Sequence, residues 1–356
     1  MRRLRVLLGA AGALCCLVVP AIDAQAVRAV HPQVGIGDEN LQMFADPHFL
    51  ALGIKDVRFD VSWDVLSKKY KDHYRLKVLE AWLASARADG MTPLITFDHS
   101  DRKGQSRKLP SVAQFSSAFR QFRKLYPWVK EFVTWDEANY YGEAIAQAPR
   151  RAAGYYLALR RDCPSCTIVA PDLLDVASAR QAVPMARWAH EFVHDARRQP
   201  AYWALNNYVG ANHLSTTSTR ALLRAVTGNI WLIETGGIVT LPHHGKVGFA
   251  LTAKHAARVD NFLLTRVAGL SPRIQRIYFY EWRPVRRHAG WDSALLNYDG
   301  SPRPGYDVVA NALASWGTTP DCAISTAPPP CAASTGASGT SGASATTAAS
   351  GTSGST

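Results

Sequence analysis

The sequence predicts a single-domain α/β fold, a (β/α)₈ barrel. Eight short β-rich runs alternate with longer amphipathic stretches, and the cycle completes between about residues 31 and 320. The run interiors are apolar, whereas acids, amides and aromatics collect where the runs end. An open doubly wound sheet is the alternative, but it calls for a glycine-rich phosphate turn after an early strand. Gly35 and Gly37 are followed instead by Asp38-Glu39-Asn40.

In order, predicted strand 1 is Gln33–Gly37, ending in Asp38-Glu39. Strand 2, Asp56–Val61, carries Arg58 and Asp60 and runs on to Trp63. The amphipathic stretch Leu76–Asp89 leads to strand 3, Thr92–Phe97, which ends in Asp98-His99. Val112–Tyr126 then leads to strand 4, Phe132–Trp135, followed by Asp136-Glu137-Ala138-Asn139. Arg151–Arg161 precedes strand 5, Thr167–Ala170, with Asp172 and Asp175 just beyond. Strand 6, Tyr202–Asn206, runs into Asn207-Tyr208, and strand 7, Ile230–Ile233, into Glu234-Thr235-Gly236-Gly237. Thr252–Ala268 leads to strand 8, Arg276–Tyr280, and Glu281-Trp282.

The barrel is expected to span residues 27–320, with residues 1–26 a secretory signal peptide. Arg2, Arg3 and Arg5 precede an apolar run from Val6 to Val19, broken at Pro20 and followed by Ala24-Gln25-Ala26. That run is shorter than the roughly 20 apolar residues a membrane span needs, so the mature chain is expected to be secreted and free of the membrane. Beyond it, residues 321–356 include Pro328-Pro329-Pro330 and then, from Ala332, nothing but Ala, Ser, Thr and Gly. Such a tail has nothing to bury and is expected to be disordered. Of six cysteines, two lie in the leader. Proximity favours pairing Cys163 with Cys166 and Cys322 with Cys331 as staples.

The net charge of +12 falls to about +10 once the leader is removed. A basic field attracts anionic polymers. Lys and Arg are dispersed, however, without the concentrated run of a dedicated nucleic-acid binder, which excludes that class.

Acids and amides beside Trp and Tyr at one barrel face suit a sugar, which presents hydroxyl edges and C–H faces. Trp135-Asp136-Glu137-Ala138-Asn139 and Trp231-Leu232-Ile233-Glu234-Thr235-Gly236-Gly237 lie 97 residues apart. That is about 32 residues for each of three βα units, the expected size of one. With Tyr278–Trp282 and Asn297–Tyr306, these segments resemble the retaining barrel glycosidases of clan A over roughly residues 31–316. The resemblance implies a glycosidase acting on a poly- or oligosaccharide, with Glu137 as general acid/base and Glu234 as nucleophile. It implies Arg58 orienting the nucleophile, Tyr208 donating to Glu234 and Trp282 lying under the bound sugar. His99, Trp135, Asp136, Asn139 and Asn207 complete the expected substrate contacts, with no cofactor, no metal and a monomeric chain. Asp136 departs from the family's usual Asn, and Asn206 stands where relatives often carry His.

Two rivals remain at this level. His190-Glu191-Phe192-Val193-His194 has the spacing of a zinc-protease helix, but it lacks an evident third ligand and falls on an outer helix in the barrel reading. The other is a barrel that binds polysaccharide without cleaving it.

Overall fold

The computed structural model describes residues 31–70, 73–242 and 247–317. The signal peptide, the Cys322–Cys331 pair and the tail expected from sequence lie outside them. Nine parallel strands form one sheet: β1 (Gln33–Gly37), β2 (Asp56–Ser62), β3 (Thr92–Asp98), β4 (Glu131–Val133), β5 (Thr167–Val169), β6 (Asp172–Leu174), β7 (Tyr202–Asn206), β8 (Asn229–Thr235) and β9 (Ile274–Tyr280). Their order is β5-β4-β3-β2-β1-β9-β8-β7-β6.

The two ends of that order are consecutive pieces of the fifth stave, so the sheet closes as an eight-staved barrel. Pro171 divides them. It has no N–H to give the ladder, so the stave runs as two short strands, of which the predicted Thr167–Ala170 covers only the first. The stave is held on both sides: Ala170 N–H donates to Tyr202 O at 3.0 Å, and Asp172 N–H to Trp135 O at 3.0 Å.

Helices α1 (Pro47–Leu52), α2 (Tyr74–Ala88), α3 (Val112–Leu125), α4 (Pro149–Asp162), α5 (Met185–Ala196), α6 (Tyr208–Asn212), α7 (Thr217–Ala225), α8 (Ala253–Phe262) and α9 (Pro304–Trp316) occupy the connections. Local chemistry marks their starts. Ser111 and Gln114 form a reciprocal capping box on α3, while Pro149 and Pro304 open α4 and α9, where no N–H is required. The predicted helix over Thr252–Ala268 is α8 followed by a π turn at Leu263–Val267 and a 3₁₀ turn at Ala268–Leu270. The Cys163–Cys166 disulfide is formed after α4.

Alternation along the strands builds two cores. Val57, Phe59, Ile95, Phe97, Phe132, Ile230, Leu232, Ile277 and Phe279 join the shell packed against the helices. Leu94, Val133, Val169, Ala204, Trp231, Ile233 and Tyr278 fill the barrel. Toward the strand starts, Arg276 plugs the interior. It pairs with Glu131 and with Asp56 at 3.3 Å and lies 4.0 Å over the Trp231 ring. The opposite end, where the strands finish, holds the groups described next.

His190, Glu191 and His194 lie on α5, outside the barrel. Glu191 pairs with Arg187 at 2.8 Å and the His194 side chain is 82% exposed. Among the described residues neither histidine belongs to a cluster able to hold a metal ion. The zinc-protease spacing is therefore that of an ordinary amphipathic helix, with Phe192 turned to the core.

Candidate active site

Inward alternation on β2 presents Arg58, which is 1% exposed. One nitrogen of its guanidinium donates to Glu234 Oε2 at 2.8 Å, a second to Asp136 Oδ1 at 2.9 Å, and Nε to Thr96 Oγ1 at 2.9 Å. A rigid donor fork thus ties β2 and β3 to the ends of β4 and β8. Tyr208, at the start of α6, donates from its hydroxyl to Glu234 Oε1 at 3.2 Å. Both oxygens of Glu234 are held.

Strict alternation from Trp231 and Ile233 would turn Glu234 toward the helices. A β-bulge prevents this. Leu205 pairs with Leu232 but Asn206 pairs with Glu234, so Ile233 is an extra residue opposite β7, and β8 also slips by one against β9. Two consecutive side chains then face inward, which is what a bulge does next to active sites. The following loop is pinned by Asp260 on α8, which accepts from Gly237 N–H at 3.0 Å. Gly237 is needed there because a Cβ would come within 2.2 Å of Ala256 Cα.

At β4 the problem is solved differently. The strand ends at Val133, short of the predicted Trp135, and Asp136 N–H donates to Phe97 O at 2.8 Å. Glu137 adopts a left-handed backbone, φ 40°, a conformation costing a non-glycine residue about 1–2 kcal/mol. Asp172 supports it. Its Oδ1 accepts from Glu137 N–H at 2.6 Å, and its carbonyl accepts from Ala138 N–H at 2.9 Å. With the strand over, Asp136 and Glu137 are free of the alternation that would have set them on opposite faces.

The site is rich in acids around a single guanidinium. Burial, and then the charges of Asp136, Glu234 and Glu143, hold Glu137 well above the ordinary carboxylate range; Asn206, whose amide makes no well-formed hydrogen bond, acts weakly against this. Burial raises Asp136 to about 7, with Arg58 opposing and Glu234 and Asp98 adding. Asp172 is held well above its usual value by burial and then by Asp136, and its Oδ2 has no partner while the group is ionised. A proton retained on Asp172 and donated to Asp136 satisfies that buried oxygen and is the arrangement the electrostatics favour. Glu39 and Asp60 are raised too, burial leading in both.

A cavity of about 670 Å³ opens above these groups, with Glu137, Tyr208, Glu234, Tyr280 and Trp291 in its wall. The structure thus gathers five of the expected residues: Arg58, Asp136, Glu137, Tyr208 and Glu234. His99 sits at the rim, its Nδ1 shared between Asp98 at 2.8 Å and Glu143 at 3.1 Å. Those hydrogen bonds push the imidazole up to about 11. Asp98, His99 and Glu143 are close enough for a metal site, yet the histidine is already the cation of that triad.

Four expected contacts are withdrawn from the cavity. Trp135 is fully buried, stacked on Tyr155, and its Nε1 donates to Glu143. Asn139 is consumed by Leu174 and Val183 backbone groups, which it clips together. Asn207 donates to Thr219. Trp282 is 1% exposed, packed on Phe49 with its Nε1 donating to Asp46, so it forms no floor under a ligand. Tyr280 and Trp291 take the exposed aromatic places instead, Trp291 standing edge-on to Tyr208 at 4.8 Å.

With this geometry in hand, the comparison with solved structures is informative. The chain superposes on a GH5_18 protein from Streptomyces cattleya solved with GlcNAc, at a TM-score of 0.56 and 19% identity over 82% of each chain. The chain has the (β/α)₈ barrel fold of that glycoside hydrolase. The catalytic domain of the major endoglucanase from Xanthomonas campestris pv. campestris matches with a TM-score of 0.53 and 18% identity, over 81% of this chain and 95% of that one. A family 39 glycoside hydrolase from Bacteroides cellulosilyticus WH2 gives 0.53 and 16% over 79% of this chain, which spans 63% of that longer protein. No family model and no curated protein matches the sequence. Within this barrel, α8 makes a testable contribution. Asp260 is 2% exposed and burial raises it to about 7, from an ordinary 3.8. The folded state therefore holds a proton that the unfolded chain has released. The associated stability is complete below the ordinary value and is lost as pH rises through about 7. The thermal midpoint is expected to fall between pH 5 and pH 8, and Asp260→Asn to flatten that decline, as followed by circular dichroism.

Proposed function

We propose that this chain is a retaining glycoside hydrolase, exported by its N-terminal segment and acting on a poly- or oligosaccharide or other glycoside. The observation that carries this reading is the pairing of two carboxyls at the ends of β4 and β8 on one cavity, in unlike environments. Glu234 faces a guanidinium and a phenol, the partners of an anion, whereas Glu137 faces other acids and keeps its proton.

In the first step a Glu234 oxygen attacks the anomeric carbon as the glycosidic C–O bond breaks, and Glu137 gives its proton to the departing oxygen. In the second, Glu137, now a base, takes a proton from water while the water oxygen displaces Glu234. Loss of the Glu234 charge in the intermediate removes one of the influences that hold the Glu137 proton, which favours the change of role.

Screening purified protein against aryl glycosides and polysaccharides tests the reading. Glu137→Gln is expected to lower kcat/KM by about 10²–10⁴-fold on substrates with poor leaving groups, and less where the leaving group needs no proton. In the wild type kcat/KM should fall as pH rises through the elevated Glu137 value, and the substitution should abolish that limb. Proton NMR should show the product with the substrate's anomeric configuration. Inversion would sink the double displacement, and binding without turnover, unchanged in Glu137→Gln, would make this a carbohydrate-binding barrel.

A further inference from the structure

The cavity wall divides by chemistry. Glu137, Tyr208, Glu234, Tyr280 and Trp291 form its acidic and aromatic half, whereas Glu39, Asp60, Asp98 and His99 lie outside its lining. The other half comes from the segments after β6 and β8 and from α6, and it is largely aliphatic: Leu174, Val176, Val209, Ile238 and Leu241, with Phe249. Most of these side chains are only partly covered, and what remains open faces the cavity.

Several polar atoms on this side are already committed. Asp175 accepts from Val209 N–H at 2.8 Å, Gly210 N–H at 2.7 Å and the Ser218 hydroxyl at 2.7 Å. His213 Nδ1 is bonded to Val209 O at 2.9 Å, and Trp291 Nε1 to Ser293. Sugar hydroxyls turned to the aliphatic stretch itself would surrender their hydration without replacement, at a cost that apolar contact does not recover.

Resting on the hydrolase reading above, we propose that this half is the leaving-group site and that it takes an alkyl chain, so that the substrate class is a glycolipid-like alkyl glycoside. Glu137, the proton donor to the departing oxygen, lines this cavity beside Leu174 and Val176. The wall is branched aliphatic rather than a pair of flat rings, which fits a flexible chain better than a planar aglycone. At about 670 Å³ the cavity is of ligand size.

The test uses the full chain and methyl, butyl, hexyl and octyl glycosides of glucose, galactose, mannose and xylose in both anomeric forms. Each buried methylene is worth about fourfold. On the sugar that is cleaved, kcat/KM is expected to rise by roughly 30-fold or more from methyl to hexyl, and Val176→Asn with Val209→Asn to erase that rise. A flat series, or a gain confined to nitrophenyl glycosides or to oligosaccharides, overturns the proposal. Calorimetric titration of Glu234→Gln with the same ligands separates the two readings. Affinity of that variant that tightens with chain length, while the wild-type chain turns over none of the glycosides, supports the apolar site and refutes hydrolysis; affinity independent of chain length refutes the apolar site whether or not the wild type cleaves them.

Discussion

Glu234→Gly is expected to reduce turnover by at least about 10⁴-fold, the scale on which removing a nucleophile is felt, and added azide should restore product formation. The reason lies in what the substitution leaves behind. Arg58 and Tyr208 still point at the vacated volume, 2.8 and 3.2 Å from where the carboxylate oxygens had been, and together they form a ready anion site. Azide bound there attacks the same carbon from the same face, so the adduct is a glycosyl azide of inverted configuration. Its detection by NMR assigns the nucleophile. Undiminished activity in the glycine variant, or rescue without the azide adduct, would place the nucleophile elsewhere.

Arg58→Met is expected to cost about 3–5 kcal/mol in urea unfolding at pH 8, the usual consequence of stripping one partner from a buried ion pair. The effect should be large because Arg58 is the guanidinium held by both Glu234 and Asp136, with Asp60, Asp172 and Glu39 in the same neighbourhood. The sign with pH follows from that crowd. Without the cation the acids hold their protons more tightly when folded, so the variant folds best where they are protonated. The gap from wild type should narrow toward pH 5 and widen toward pH 8. A gap independent of pH would mean that Arg58 acts through packing alone.

The architecture was legible because period-two runs and helical stretches alternate in a regular count, and the two glutamates stand at matching ends of that count. The fifth strand was read as ending at Ala170, and its continuation at Asp172–Leu174 was missed because Pro171 and an acid interrupt the apolar run there. The finer content of the site was less legible. Trp135 and Trp282 looked like sugar platforms because aromatic residues at strand ends often are, but which way they turn depends on where each strand stops. Trp135 lies beyond the last paired residue and turns outward, and Trp282 lies two residues past β9, where the Asp38 carboxylate accepts its N–H. Tyr280 and Trp291 carried no signal of their own, Trp291 least of all, being in a loop eleven residues past the strand. Asp172 was visible as an acid after strand 5. Its role as the support for the Glu137 backbone needed the pairing across the stave break, which no local pattern reports.

The extra residue in β8 acts as an inverter of parity. Every side chain after Ile233 faces the way it does because one position is counted twice on that strand and once on its neighbours. Pairing at the same length without the doubled position would mend the ladder, yet the acid would turn toward the helices and the guanidinium of Arg58 would look across at the hydroxyl of Thr235. The register of this strand, as much as the identity of any one side chain, is what the chemistry rests on.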